Sequence, residues 1–174
     1  GNPLALEALM DLFEREPGGK ALVFNGDFHW FDVDPRDFER VNDTVLAYHA
    51  LRGNVETEVA EPAVDAGCGC AYPDWVDEGT VERSNRILGR LRHAATDAQR
   101  AQLAALPMWL RADVGEVRIG IVHGDAQSLA GWGFAQEHLR DAAERLLADL
   151  AHPWLEQPEG ERITGHRALL TVRR

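Results

Sequence analysis

The chain predicts an α/β fold with strands of both directions. Helical stripes alternate with short apolar runs, the pattern of helices layered on sheets. Two runs, Met108 to Ala112 and Glu116 to Val122, are joined at Val114-Gly115 and read as an antiparallel hairpin, so the sheet is mixed or there are two sheets. Hydrophobic residues make up 45% of the 174, enough for a sizeable core in a single domain spanning 1–174.

The elements follow in order. Asn2 can cap a first helix and Pro3 suits its first position; Leu6, Leu9, Met10 and Phe13 recur at helical spacing until Pro17-Gly18-Gly19. Lys20 to Asn25 reads as a buried strand, with Gly26-Asp27 at its carboxyl end, where α/β folds collect ligands. Asp34-Pro35 opens a second helix whose stripe, Phe38, Val41, Val45 and Tyr48, runs up to Leu51; the turn Arg52-Gly53-Asn54 follows. Glu78 to Ala94 is helical, with Val81, Ile87, Leu88 and Leu91 inward. Thr96 and Gln99 form a capping box for a helix ending before Pro107. Phe134 to Leu150 is a long amphipathic helix, and Arg162 to Thr164 a short strand leading into Gly165-His166.

The formal charge is -11, from 29 acidic and 18 basic residues. That argues against a nucleic-acid surface, which needs a basic face to neutralise phosphates. It leaves room for a small phosphorylated substrate, because bound cations invert the local charge. No apolar run approaches a membrane span and no signal peptide is visible. Cys68 and Cys70 flank a single glycine. Residues this close rarely close a structural disulfide, and two thiolates do not complete a zinc site, so the expectation is a flexible loop, with a redox or accessory metal role as the alternative. Scarce cysteine fits a cytoplasmic location.

Four short segments can each place a hard metal ligand just past a strand end: Asn25-Gly26-Asp27, Gly53-Asn54-Val55-Glu56, Val122-His123-Gly124-Asp125 and Gly165-His166-Arg167-Ala168. Phosphoester hydrolysis needs charge neutralisation and a nucleophile at neutral pH, which two divalent ions supply. Asp27 has the chemistry of a bridging carboxylate, His123 and His166 offer imidazole nitrogen, and Asn54 a neutral oxygen. Each alone is as readily a turn residue, a cap or a histidine bonded to backbone.

Taken together and in this order, the segments resemble the GD, GN(H/C/V)(D/E), HG and GHxH motifs of the calcineurin-like metallophosphoesterases. The resemblance implies a sandwich of two mixed sheets flanked by helices. It implies a metal-dependent phosphodiesterase or phosphatase using water activated by up to two ions of Mn, Fe, Ni or Zn. Asp27 matches the bridging ligand, and Asn54, His123 and His166 the other ligands of the second metal; Asp27, Asn54 and His123 are then the catalytic set. Arg167 could contact a substrate phosphate.

The pattern departs from the family at three places. The family's opening Asp-x-His is absent and the chain starts at Gly1-Asn2-Pro3, so the expectation is a fragment of a longer domain, lacking the first strand and the C-terminal strands. Ala168 stands where the last histidine of GHxH would be. Val55 stands where many members have a histidine assisting the leaving group, and resembles the phosphodiesterase-like branch. His29 could replace a lost ligand, though a packing role is the simpler reading, and Asp125 could orient His123. His49, His93, His138 and His152 fall in helical segments as structural residues. Trp30 and Trp132 follow motif loops and could wall a pocket for an apolar or nucleobase group, core packing being the alternative for them and for Phe31, Trp109 and Phe134. The competing reading is a catalytically degraded member that binds a phosphorylated ligand or a protein partner.

Overall fold

The computed structural model describes residues 1–61, 67–125 and 128–132, and the strand segments 162–165 and 168–169. Five helices and six strands lie among the described residues, in the order α1 (Pro3–Arg15), β1 (Ala21–Asn25), α2 (Pro35–Leu46), β2 (His49–Leu51), α3 (Asn54–Ala60), α4 (Glu78–Ala94), α5 (Asp97–Ala104), β3 (Trp109–Val114), β4 (Val117–Val122), β5 (Arg162–Gly165) and β6 (Ala168–Leu169). No helix among them is long and apolar enough to cross a membrane.

The caps explain the starts. Asn2 accepts from Ala5 N–H at 3.2 Å, Asp34 from Arg36 N–H at 2.9 Å, and Thr96 and Gln99 exchange both bonds of a capping box. The α2 stripe buries Phe38, Val41 and Val45, as the spacing predicts. Two expectations fail here. The helix stops at Leu46, and His49–Leu51 is a strand paired in parallel with β1, because Ala50 and Leu51 gain more from a place in the core beside β1 than from another helical turn. Asn54 opens a seven-residue helix, α3, instead of closing a turn.

β1 stands between β2 and β6, all parallel; β3 pairs with β4 antiparallel and with β5 in parallel. Leu51, Leu110, Ala112 and Ile121 form one buried cluster, joined by Ala21 and Val23 of β1. A larger one sets Phe38, Val55 and Val59 against Leu88, Leu91 and Leu103 of α4 and α5. The expected helix Phe134 to Leu150 lies outside the described residues.

The architecture puts two strand ends together. β1 ends at Asn25, two residues before Asp27, and β2 ends at Leu51, just before Gly53 and α3. Both run in one direction, so their carboxyl ends share an edge. The β4 carboxyl end, carrying His123, meets them there: the His123 ring bonds to the Asn25 carbonyl.

Candidate metal centre

Asp27, Asn54 and His123 come from three separate chain segments and meet in one place. His123 Nε2 lies 3.1 Å from Asn54 Oδ1 and 3.3 Å from Asp27 Oδ1. The His123 and Asp27 side chains are only 9% and 7% exposed. All three line a cavity of about 700 Å³, with Phe24, Phe28, Trp30, Tyr72 and Trp132 among its walls.

The backbone around Asp27 is forced by close approach. Gly26 and Asp27 both take left-handed dihedrals, φ 71° and 53°. A side chain on Gly26 would overlap Gly53 and the His123 ring, and one on Gly53 would overlap the Asp27 carboxylate. Glycine is required at both positions for this reason. A non-glycine residue held left-handed at a site is stored strain, which the surroundings must enforce.

Glu56 does the enforcing, and sequence reasoning gave it no role. It is fully buried. Its Oε2 accepts from Asp27 N–H at 2.6 Å and Gly53 N–H at 2.9 Å, and its Oε1 from His29 N–H at 3.1 Å. One carboxylate thus ties the Gly26-Asp27 loop to the start of α3. Burial, and then the neighbouring Asp27 charge, push the Glu56 carboxyl above its ordinary value against the pull of His29 and these amides.

Hydrogen bonding fixes which atoms face the centre. Asn54 Nδ2 donates to the Cys68 carbonyl at 3.0 Å, which aims its Oδ1 at His123. The Asn25 carbonyl, 2.7 Å from His123 Nδ1, can only accept, so Nδ1 carries the hydrogen. In neutral His123 the lone pair is therefore on Nε2, between two oxygen acceptors. An Nδ1–H held by a backbone carbonyl is a common support of metal-ligating histidines. Asp27 Oδ1 also accepts from Val55 N–H at 3.1 Å.

Three acceptors that face one another need something positive between them. A proton on Nε2 is one solution. Burial opposes that charge, but the Asp27 hydrogen bond and charge, the Asn25 carbonyl and the Glu56 charge outweigh it, so the His123 pKa is raised. A divalent cation is the other. Ligand bonds of about 2.1 Å at right angles place neighbouring donors about 3 Å apart, close to the spacing here. Carboxylate, amide oxygen and imidazole fit a first-row divalent ion. Among the described residues no group of three His, Cys, Asp or Glu side chains is placed to hold a metal ion; the third donor is the Asn54 amide.

His166 and Arg167 lie outside the described residues. Gly165 pairs with Val114 beside the hairpin turn, and Ala168 with Ala21 at the start of β1, both at strand ends remote from His123 and Asp27. His29 is not a substitute ligand: it is buried, stacked on Phe38 at 3.7 Å, 3.4 Å from Asp32 Oδ2, and absent from the cavity wall. Asp125 accepts from Ser128 N–H and closes a local turn, while the orientation of His123 comes from Asn25. The Val55 side chain is buried in the core and does not line the cavity. His49 sits in β2, His93 at the end of α4, and His138, His152 and Phe134 outside the described residues. Trp30 and Trp132 both line the cavity, whereas Phe31 is exposed.

Cys68 and Cys70 are joined by a disulfide, contrary to expectation. Gly69, at φ 62°, turns the chain so that the two Cα atoms stand 5.2 Å apart.

No protein family, curated protein or solved structure matches this chain.

Proposed function

We propose that the chain is a metal-dependent phosphoesterase of the calcineurin-like type, acting on a small phosphorylated substrate. The observation that carries the reading is the meeting of Asp27, Asn54 and His123 Nε2 at one cavity, with Nδ1 already held by the Asn25 carbonyl. In this reading Asp27 supplies the charge, Asn54 a neutral oxygen and His123 a nitrogen to a bound divalent ion. Such ions supply Lewis acidity toward a phosphoryl group and lower the pKa of water. Glu56 holds Asp27 and the start of α3 in register. The Trp30, Tyr72 and Trp132 walls would take a flat, apolar leaving group. His166 and Arg167, expected as ligand and phosphate contact, enter no step. The cluster shared by β1, β2, β3 and β4 is consistent with the two-sheet sandwich of that family.

The test is a manganese titration with hydrolysis of a chromogenic phosphodiester and its monoester, in the parent and in Asp27→Asn. Manganese-dependent diester hydrolysis lost in the variant supports the reading; no manganese binding overturns it. A second reading, a phospho-ligand binder of low turnover, is favoured by one fact. The described residues bring together three donors, fewer than two ions need. Tight metal binding without hydrolysis of either ester would select it.

A further inference from the structure

We propose that Cys68 and Cys70 form a thiol–disulfide exchange site opening on the same cavity, with a low-molecular-weight thiol as co-reactant, and that its state sets the Asn54 amide. The disulfide closes across one glycine. Its two sulfurs are unlike. Cys68 is buried at 4% exposure, whereas Cys70 is half-buried and lines the cavity. A nucleophile arriving through the cavity therefore meets Cys70.

The backbone on both sides is pinned. Cys68 N–H donates to Asn85 Oδ1 at 2.9 Å, and the Cys70 carbonyl accepts from Trp132 Nε1–H at 3.1 Å. Opening the bond leaves the two thiols facing each other, so the exchange is reversible. In the forward direction a thiolate attacks Cys70 Sγ. The S–S bond breaks, and its electron pair leaves on Cys68 Sγ, which takes a proton. A second thiolate attacks the outer sulfur of the mixed disulfide, forming the small disulfide and releasing Cys70 Sγ, which takes the second proton. Two thiols are oxidised and the protein disulfide is reduced by two electrons.

The link to Asn54 is direct. Asn54 Nδ2 donates to the Cys68 carbonyl and lies 3.6 Å from Cys70 Sγ. That carbonyl is also 3.4 Å from Cys70 Sγ. In the disulfide the sulfur has no hydrogen to give. After reduction the Cys70 thiol is a donor placed beside the acceptor that orients Asn54. Reduction thus adds a second donor at the carbonyl and removes the covalent tie that fixes its position. The amide is freed to turn, and its Oδ1 no longer points at His123.

The experiment uses the full chain in glutathione buffers from fully oxidised to fully reduced. Thiols are counted by alkylation and intact mass, and the Asn54 side-chain amide is followed by proton–nitrogen NMR, assigned by its loss in Asn54→Ser. The expected result is no alkylation when oxidised and two thiols when reduced. Both should return to the disulfide on reoxidation, and the Asn54 signal should move with the same midpoint. Cys70→Ser should hold that signal at its reduced position in every buffer. Two alkylatable thiols in the oxidised protein, or an Asn54 signal unmoved by reduction, overturns the proposal. Any consequence for metal rests on the reading above, where reduction should weaken manganese binding by about tenfold or more. An oxidised protein that binds no manganese refutes that reading alone, and the thiol count and amide signal still decide this one.

Discussion

Replacing Glu56 by alanine removes the carboxylate on which three backbone amides converge, those of Asp27, His29 and Gly53. A buried donor left without an acceptor costs about 1–3 kcal/mol. Three of them sum to at least about 3 kcal/mol, and water entering the space would recover part of anything larger. The expectation is about 3 kcal/mol lost by urea unfolding at pH 7. Glu56→Gln is the finer probe. Its amide oxygen can keep the two bonds now made by Oε2, but its amide nitrogen then faces the His29 N–H, donor against donor. Against that penalty stands the removal of a charge that burial and Asp27 disfavour. The folded pKa of Glu56 is raised, so the stability it contributes is complete below 4.5 and is lost as pH rises through the folded value. The gap between parent and Glu56→Gln should therefore narrow as pH rises from 4.5. A gap that widens, or an alanine variant within about 0.5 kcal/mol of the parent, would refute the account of Glu56 as the clip of the site.

Asp27→Asn should weaken manganese binding by more than the roughly 10–100-fold typical of an outer partner, and should lower the His123 pKa, read by NMR titration, because the Asp27 bond and charge help to raise it. Metal must displace a proton from His123 Nε2, so manganese affinity should climb as pH rises toward the raised His123 pKa, with protons released, as calorimetry in buffers of different ionisation enthalpy would show. Without metal the sign reverses: the protonated ring contributes stability that is complete below 6.5 and lost as pH rises through the raised value, measurable by unfolding across that window. Gly53→Ala should push Asp27 aside and weaken manganese binding at least about tenfold, whereas Gly115→Ala, left-handed in the hairpin turn with open space around it, should cost about 1–2 kcal/mol and leave metal binding unchanged.

The elements that the sequence displayed plainly are those with local causes. α5 carries its capping box within four residues, and α4 its buried stripe on one face. β2 was hidden because Tyr48 to Leu51 continues the apolar spacing of α2; pairing with β1, a partner distant in sequence, overrode that spacing. α3 was hidden because Gly53-Asn54 has the composition of a turn. Asp27, Asn54 and His123 were legible as residue types at strand ends. The buried acceptor beside them was not, because the amides of Asp27 and His29 that Glu56 serves lie 29 and 27 residues away and amides leave no mark in a sequence. The disulfide was misread because ring closure across one residue depends on the Gly69 dihedral, which spacing does not reveal.

The His123–Asn25 bond spans 98 residues, against 29 for the Glu56–Asp27 bond. Bringing chain ends together becomes harder with the logarithm of the separation, by about 1 kcal/mol between these two lengths. During refolding the Gly26-Asp27 loop and the start of α3 can dock early, while the imidazole arrives only when the β3–β4 hairpin finds β1. Contacts so distant in sequence are made late. A chain caught between those stages would hold the carboxylate and the amide but not the imidazole. In stopped-flow refolding with manganese present, helix formation, followed by far-ultraviolet circular dichroism, should then precede metal uptake, because the five described helices all precede the hairpin; simultaneous phases would show that the two loops close as one.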